Sequence, residues 1–162
     1  EIDRITGEMN SKKDDYKSLR DKIDKIKEKE TELNNELDNE KKQYINTQND
    51  IKNVQREIDL YDSGKCPTCR TDFNSDHFVT LRASFVEKKE GYEKIKSEIE
   101  DNIKLVKERQ IKLKGLSEKT TTAFNDLSYL LINYKGQIDR LNQKKNLETG
   151  KKSVNVQLKF EF

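Results

Sequence analysis

The middle of the chain reads Asp-Ser-Gly-Lys-Cys-Pro-Thr-Cys-Arg from Asp62 to Arg70, and this stretch decides the fold. Glycine is the residue type that most often ends a helix, and this stretch contains Gly64. Pro67 cannot continue a helix, because its ring removes the backbone donor and clashes with the preceding turn. The sequence therefore predicts a short apex, residues 63–75, between two helices.

The residues before the apex carry apolar side chains at alternating steps of three and four, which is the spacing of a left-handed coiled coil. Fourteen of the eighteen positions in this seam are apolar or aromatic. We therefore predict a first coiled-coil arm over residues 1–62. Its seam consists of Ile2, Ile5, Met9, Lys12, Tyr16, Leu19, Ile23, Ile26, Glu30, Leu33, Leu37, Glu40, Tyr44, Thr47, Ile51, Val54, Ile58 and Tyr61.

A second seam predicts a second coiled-coil arm over residues 76–148. Its helix is expected to start after Asn74 or Ser75, which are favoured N-cap residues, with the acidic Asp76 in the first turn. The seam consists of Leu81, Phe85, Lys88, Tyr92, Ile95, Ile99, Ile103, Val106, Gln110, Leu113, Ser117, Thr120, Phe124, Leu127, Leu131, Tyr134, Ile138 and Leu141.

Two irregularities are expected in the second arm. The steps from Tyr92 through Ile95 to Val106 read three, four, four and three, which is a stutter that locally unwinds a supercoil. Residues 114–122, with Gly115 and three consecutive threonines, are poor in helix formers. We expect a kink or a local loss of pairing there.

Two arms of similar length around a short break predict a long antiparallel coiled-coil hairpin, because the returning chain buries one seam against the other. Charge favours this pairing: residues 1–50 carry 11 basic and 14 acidic side chains, whereas residues 101–162 carry 13 basic and 7 acidic ones. The structural rival is a parallel dimer of one continuous helix, which the helix-ending residues of the apex disfavour. The predicted fold class is all-α.

The pattern changes near the end of the chain. Residues 149–162 are predicted as a short β-like tail, because apolar and polar residues alternate there with the period of a strand. A lone strand is not stable, so the segment either pairs with a region outside this sequence or is a floppy tail. Its apolar residues are Val154, Val156, Leu158, Phe160 and Phe162.

Composition excludes several classes of protein. Charged residues make up 40% of the 162 positions and hydrophobic residues 31%, which is too few apolar side chains for a compact domain of this length. The net charge of +2 lacks the basic excess typical of nucleic-acid binders. No apolar run reaches the roughly 18 residues of a membrane span, and no signal peptide opens the chain. We expect an intracellular chain without a membrane partner, and a piece of a longer protein.

The only two cysteines, Cys66 and Cys69, form a C-x-x-C motif in the apex. A redox pair of this kind normally lies near a strand-helix-strand unit, which this sequence lacks. A structural zinc site needs four ligands, so two more come either from His77 and another group of the same chain or from a second chain. The simplest solution is a pair of chains related by a two-fold axis, which together place four cysteine sulfurs around one zinc ion. Lys65 and Arg70 flank the motif and would offset the charge of four thiolates.

A C-P-x-C apex between two long antiparallel coiled-coil arms resembles the zinc hook of the SMC-like ATPases of double-strand-break repair, the SbcC type and its relatives. The likeness covers residues 1–148 as architecture, and its specific motif is Cys66, Pro67 and Cys69. Many such hooks carry glycine directly after the second cysteine, where this chain has Arg70. A left-handed backbone there would cost arginine about 1–2 kcal/mol.

The resemblance implies a zinc-mediated dimerisation module of a DNA repair or recombination ATPase–nuclease complex, which tethers complexes or DNA ends. It implies one zinc ion shared by two chains through Cys66 and Cys69, and a homodimer. The nuclease subunit and DNA would bind parts of the parent protein outside this sequence. The location would be the cytoplasm of a bacterial or phage-infected cell, or a eukaryotic nucleus.

The sequence also indicates what this piece lacks. The phosphate-binding pattern G-x-x-x-x-G-K-[ST] is absent, so we expect no ATPase or nuclease activity from these residues. One alternative function is a structural coiled-coil scaffold in which the cysteines are incidental or form a disulfide. A thiol redox sensor at the tip of a coiled coil is a third hypothesis.

Overall fold

The computed structural model describes the backbone of residues 1–160 and the side chains of residues 1–150. Within these residues the protein is all-α, as predicted, with two long helices packed against each other and no strand. Helix α1 spans Ile2–Asp62 and helix α2 spans Asp76–Phe160. The break between them excludes one continuous helix. No described helix is apolar enough over a sufficient length to cross a membrane.

The chain divides into two compact units. The apical unit comprises Lys29–Lys112 and therefore contains the apex. Within it, residues late in α1 contact residues early in α2, and residues earlier in α1 contact residues later in α2. The helices of this unit are therefore antiparallel. The contacts are Asp62 with Arg82, Tyr44 with Lys96, Glu36 with Arg109, and Asn34 with Gln110.

The terminal unit comprises Glu1–Glu28 and the part of α2 that starts at Leu113. Tyr16 stacks on Phe124 in this unit, with ring centroids 4.7 Å apart. Ile2 and Leu141 line the same shallow groove near the start of α1. The helices of the terminal unit are therefore also antiparallel.

The buried residues lie in the seam between the helices. Eight residues are buried in the described part of the chain, and all eight occupy seam positions that the spacing predicts. The other faces of both helices carry charged and polar residues together with exposed apolar ones such as Ile111, Tyr129 and Ile132. The buried residues are Ile5, Ile26, Leu33, Thr47, Ile58, Ile99, Val106 and Thr120.

Two seam residues of α2 are predicted wrongly. Lys88 is exposed, whereas its neighbour Lys89 is half-buried. Ile95 is 46% exposed, whereas Lys96 is half-buried and its Nζ lies 5.5 Å from the centre of the Tyr44 ring.

With Lys89 and Lys96 in the seam, the steps from Phe85 to Val106 alternate regularly between four and three, so the predicted stutter is not there. A lysine fits position 96 because its alkyl stem packs along apolar surface while its ammonium group lies over an aromatic ring.

The threonine-rich stretch of α2 is helical throughout. Thr120 is buried, and its hydroxyl donates a hydrogen bond of 2.8 Å to the carbonyl of Leu116. This bond satisfies the polar group inside the seam, which explains why threonine is tolerated there. Loss of pairing at Thr120 is therefore not found, and the kink stays a prediction.

The predicted strand near the end of the chain, residues 149–162, is wrong for residues 149–160, which continue α2. A helix satisfies its backbone hydrogen bonds within one segment, whereas a lone strand has no partner for them. Phe162, the last residue of the predicted strand, lies outside the described residues.

Candidate metal centre at the apex

Helix α1 ends in a glycine cap. The backbone N–H of Ser63 donates to the carbonyl of Asp59 at 3.1 Å, and that of Gly64 donates to Tyr61 at 3.2 Å. Gly64 has a φ of 75°, a left-handed conformation that only glycine adopts without a steric penalty. The glycine identified from the sequence therefore turns the chain out of α1.

The apex is closed by backbone hydrogen bonds across its loop. Lys65 and Asp72 form an isolated antiparallel bridge. On either side of it, the N–H of Phe73 donates to Gly64 and the N–H of Cys66 donates to Thr71, each at 2.9 Å. These bonds hold the two sides of the loop together, so both cysteines lie on a closed turn.

The tip of the loop is a tight turn that contains both cysteines. The N–H of Arg70 donates to the carbonyl of Cys66 at 2.9 Å. Arg70 has a φ of 59° and is the only non-glycine residue with a positive φ among the described residues. The left-handed backbone considered for this position is therefore present, and arginine pays a steric cost there that glycine would avoid.

Helix α2 starts at Asp76, and the residues just before it cap its first turn. The carbonyl of Ser75 accepts the N–H groups of Phe78 and Val79 at 2.9 and 3.1 Å. Just before it, the Asp72 carboxylate accepts the N–H of Asn74 at 3.0 Å. The sequence expectation that α2 begins after Asn74 or Ser75 is confirmed.

An aromatic cluster joins the apex to both helices. The Tyr61 ring lies 5.0 Å from Phe73, 6.1 Å from Phe78 and 5.8 Å from Phe85, measured between centroids. Phe73 also packs edge-on against Phe78 at 5.0 Å. Aromatic pairs at these separations stabilise the folded protein by more than the burial of their surface area alone accounts for. The loop residue Phe73 is thereby held to α1 and α2 by aromatic packing.

An ion pair joins the two helices where the apex begins. The Arg82 guanidinium contacts both carboxylate oxygens of Asp62, with its second bond 3.2 Å long. This hydrogen bond, together with the positive charge of Arg82, holds the pKa of Asp62 below its usual range. Both side chains are partly exposed, so the pair contributes little free energy and chiefly sets the geometry.

Both cysteines are free thiols, Cys66 half-buried and Cys69 exposed. The Cys69 Sγ lies 3.0 Å from the hydroxyl oxygen of Thr71. This hydrogen bond, followed by one with the Thr71 backbone and one with the Cys66 thiol, lowers the pKa of Cys69 to about 7. A thiolate is the form that binds metal ions, so the local structure favours the ligating state.

The apex of one chain offers an incomplete ligand set. No group of three or more histidine, cysteine and acidic side chains that would hold a metal ion occurs among the described residues. His77 is exposed, and its ring packs edge-on against Phe78 at 5.5 Å. The two thiols fit zinc by softness, but they supply half of a tetrahedral site.

Sequence reasoning identified Cys66 and Cys69 but missed Thr71. Its hydroxyl touches the sulfur of Cys69, and its carbonyl accepts the N–H of Cys66. The only available signal was a hydroxyl residue two positions after a cysteine, which is too common to be informative. Lys65 and Arg70 are exposed on the loop, as their flanking positions suggest.

Comparisons of this chain with protein-family models, with curated proteins and with solved structures found no significant match.

Proposed function

We propose that the apex is a zinc-mediated dimerisation module, in which Cys66 and Cys69 of two copies of this chain bind one zinc ion. The observation that carries the proposal is the C-x-x-C motif on a closed loop where two antiparallel helices meet. Its thiols are free, and Cys69 is exposed. One chain provides two sulfurs, and a structural zinc site needs four ligands.

The chemistry of the loop supports a shared thiolate site. Four thiolates around a divalent ion carry a formal charge near −2, which is costly unless hydrogen bonds and cations offset it. The Thr71 hydroxyl already bonds to Cys69. Lys65 and Arg70 provide one cation each on either side of the motif, so a pair of chains would bring four.

The resemblance of the C-P-x-C apex to the zinc hook supports the wider role. On this proposal the parent protein is the ATPase subunit of a DNA repair or recombination complex with a nuclease partner. Its head, its nuclease and its DNA contacts lie outside these residues. The part described here joins complexes, or the two arms within one, and itself has no catalytic activity.

The test is metal stoichiometry together with mass in solution. The full chain is loaded with zinc, passed through a desalting column and analysed for zinc and by sedimentation. We expect half a zinc ion per chain in a dimer, and loss of both zinc and dimer in Cys66→Ser/Cys69→Ser. The matched control His77→Ala should behave as the wild type.

Each other result contradicts the proposal. One zinc ion per chain in a monomer, lost in His77→Ala, would establish the one-chain site. A chain without zinc would favour the structural scaffold. A dimer that persists in Cys66→Ser/Cys69→Ser would show that association does not depend on the metal.

A further inference from the structure

Thr71 is the one residue of the apex that hydrogen-bonds to both cysteines. Its carbonyl oxygen accepts the backbone N–H of Cys66 at 2.9 Å. Its hydroxyl lies 3.0 Å from the sulfur of Cys69. Thr71 is thus bonded to the backbone of one proposed ligand and to the ligating atom of the other.

The surrounding loop holds Thr71 in place. Its neighbour Asp72 forms the bridge to Lys65, and Phe73 is fixed by its hydrogen bond to Gly64 and by the aromatic cluster. A β-branched side chain has few rotamers. The Thr71 hydroxyl is therefore held toward the sulfur rather than sampling many directions.

The chemistry of the contact fits a sulfur that binds a metal ion. A thiolate has several lone pairs, so it accepts a hydrogen bond from a hydroxyl while donating another pair to a metal. Outer-shell hydrogen bonds orient metal ligands, and their removal typically costs 10–100-fold in metal affinity. In a site shared by two chains, two such hydroxyls would act on one ion.

We propose that Thr71 is a positioning residue for a soft divalent cation, which orients the Cys69 sulfur and withdraws negative charge from it through the hydroxyl hydrogen bond. The inference rests on the proposed function, since Cys69 is a ligand only in that proposal. It adds a residue outside the C-P-x-C motif to the metal centre.

The apex contains a matched control for this role. Thr68 lies between the two cysteines and is exposed, and its side chain makes no hydrogen bond among the described residues. Thr68→Val and Thr71→Val remove the same hydroxyl from the same loop. Thr71→Ser keeps the hydroxyl, and Thr71→Val keeps the carbonyl that bonds to Cys66.

The experiment uses the full chain and titrates it with Co²⁺, whose sulfur-to-metal charge-transfer bands report on the thiolates, and then displaces Co²⁺ with Zn²⁺. We expect Thr71→Val to bind Co²⁺ and Zn²⁺ at least about 10-fold more weakly. Its charge-transfer band should move to lower energy, because the sulfur lone pairs lose the stabilising hydrogen bond. Thr71→Ser should restore both properties, and Thr68→Val should match the wild type.

The outcomes separate the two proposals. If the wild-type chain binds no metal ion, both the proposed function and the role of Thr71 are wrong. If the wild type binds metal and Thr71→Val has the same affinity and band position, only the role of Thr71 is wrong. An equal loss in Thr68→Val, or a loss without a band shift, would also reject it in favour of a general effect on the loop.

Discussion

The apex and the helices of this chain are stabilised in different ways. Along the helices, equivalent apolar residues repeat every few positions, and no single one dominates. In the apex, each element of the loop depends on one or two individual contacts, such as the Tyr61 cluster and the hydrogen bond from Phe73 to Gly64. The stability of the helices is thus distributed over many seam residues, whereas the structure of the apex depends on a few contacts.

This difference predicts how each region tolerates substitution. A coiled coil that loses one seam side chain keeps the neighbouring layers, so the damage is limited to about one turn of each helix. A short loop has no neighbouring layers, because few residues are available to bury surface. Conservative changes in the apex should therefore have larger local effects than similar changes in the seam.

The largest expected effect is that of Tyr61→Ala. Tyr61 packs against three rings, and its removal should destabilise the apex by about 2 kcal/mol, since the ring is half-buried rather than fully buried. Hydrogen exchange should show faster exchange of the N–H groups of Cys66, Arg70 and Phe73, with little change in the helices.

The control for Tyr61→Ala is Tyr16→Ala in the terminal unit. Among the residues whose side chains are described, Tyr16 stacks on one ring only, Phe124, so its removal should cost less, about 1 kcal/mol. The faster exchange should be limited to the turns around it. An equal loss in the two variants would contradict the contrast between apex and helices.

The second effect is a gain in stability in Arg70→Gly. Relief of the left-handed backbone is worth about 1–2 kcal/mol, and the greater flexibility of the unfolded glycine chain offsets about 0.5–1 kcal/mol of it. We expect a net gain of about 0.5–1 kcal/mol in the free energy of unfolding, measured by urea denaturation of the metal-free protein.

The matched control for this gain is Arg56→Gly. Arg56 is exposed within α1, before the last turn that ends at Asp62, where a helical backbone suits arginine and glycine costs about 1 kcal/mol. The two changes should therefore have opposite signs. A loss of stability in Arg70→Gly would show that the arginine side chain has a compensating role in the apex.

The smallest effect is a pH dependence that arises in the apex. The pKa of Cys69 is lowered to about 7, below the usual thiol value of about 8.5. Between these values the unfolded chain binds more protons, so stability should rise with pH from about 7 to 8.5 and be lost as pH falls through 7. Urea denaturation with a chelator present should show this rise in the wild type.

Cys69→Ser provides the comparison for the pH dependence, because it removes the thiol. The difference in stability between Cys69→Ser and the wild type should change over the same pH range. If the two proteins respond identically to pH, the Cys69 thiol does not ionise early in the folded state.

Most of the seam could be predicted from the sequence because its positions follow from the spacing of apolar residues. Every described buried residue, from Ile5 to Thr120, falls on the predicted register. Ile95 and Lys96 both fit an alternation of three and four residues. The prediction placed Ile95 in the seam because isoleucine is apolar and lysine is charged. Lys96 is half-buried with its Nζ over the Tyr44 ring, and spacing does not reveal such a contact.

The apex was only partly predictable. Gly64 and Pro67 locate it, and Cys66 and Cys69 indicate its chemistry. The roles of Thr71 and Arg82 depend on which atoms meet when the loop closes, which follows from backbone geometry rather than from residue type. The strand expected over residues 149–162 was wrong for residues 149–160, because alternation describes one face of a segment but provides no partner for its backbone.

The ion pair between Asp62 and Arg82 has a mechanical consequence. It connects the last residue of α1 to the second turn of α2, so tension applied at the cysteines reaches both helices within a few residues. Tension along the helices of the apical unit acts as shear on the seam, which many layers resist together. A force that peels the helices apart from the apex would meet one layer at a time, beginning with the Tyr61 cluster and this ion pair.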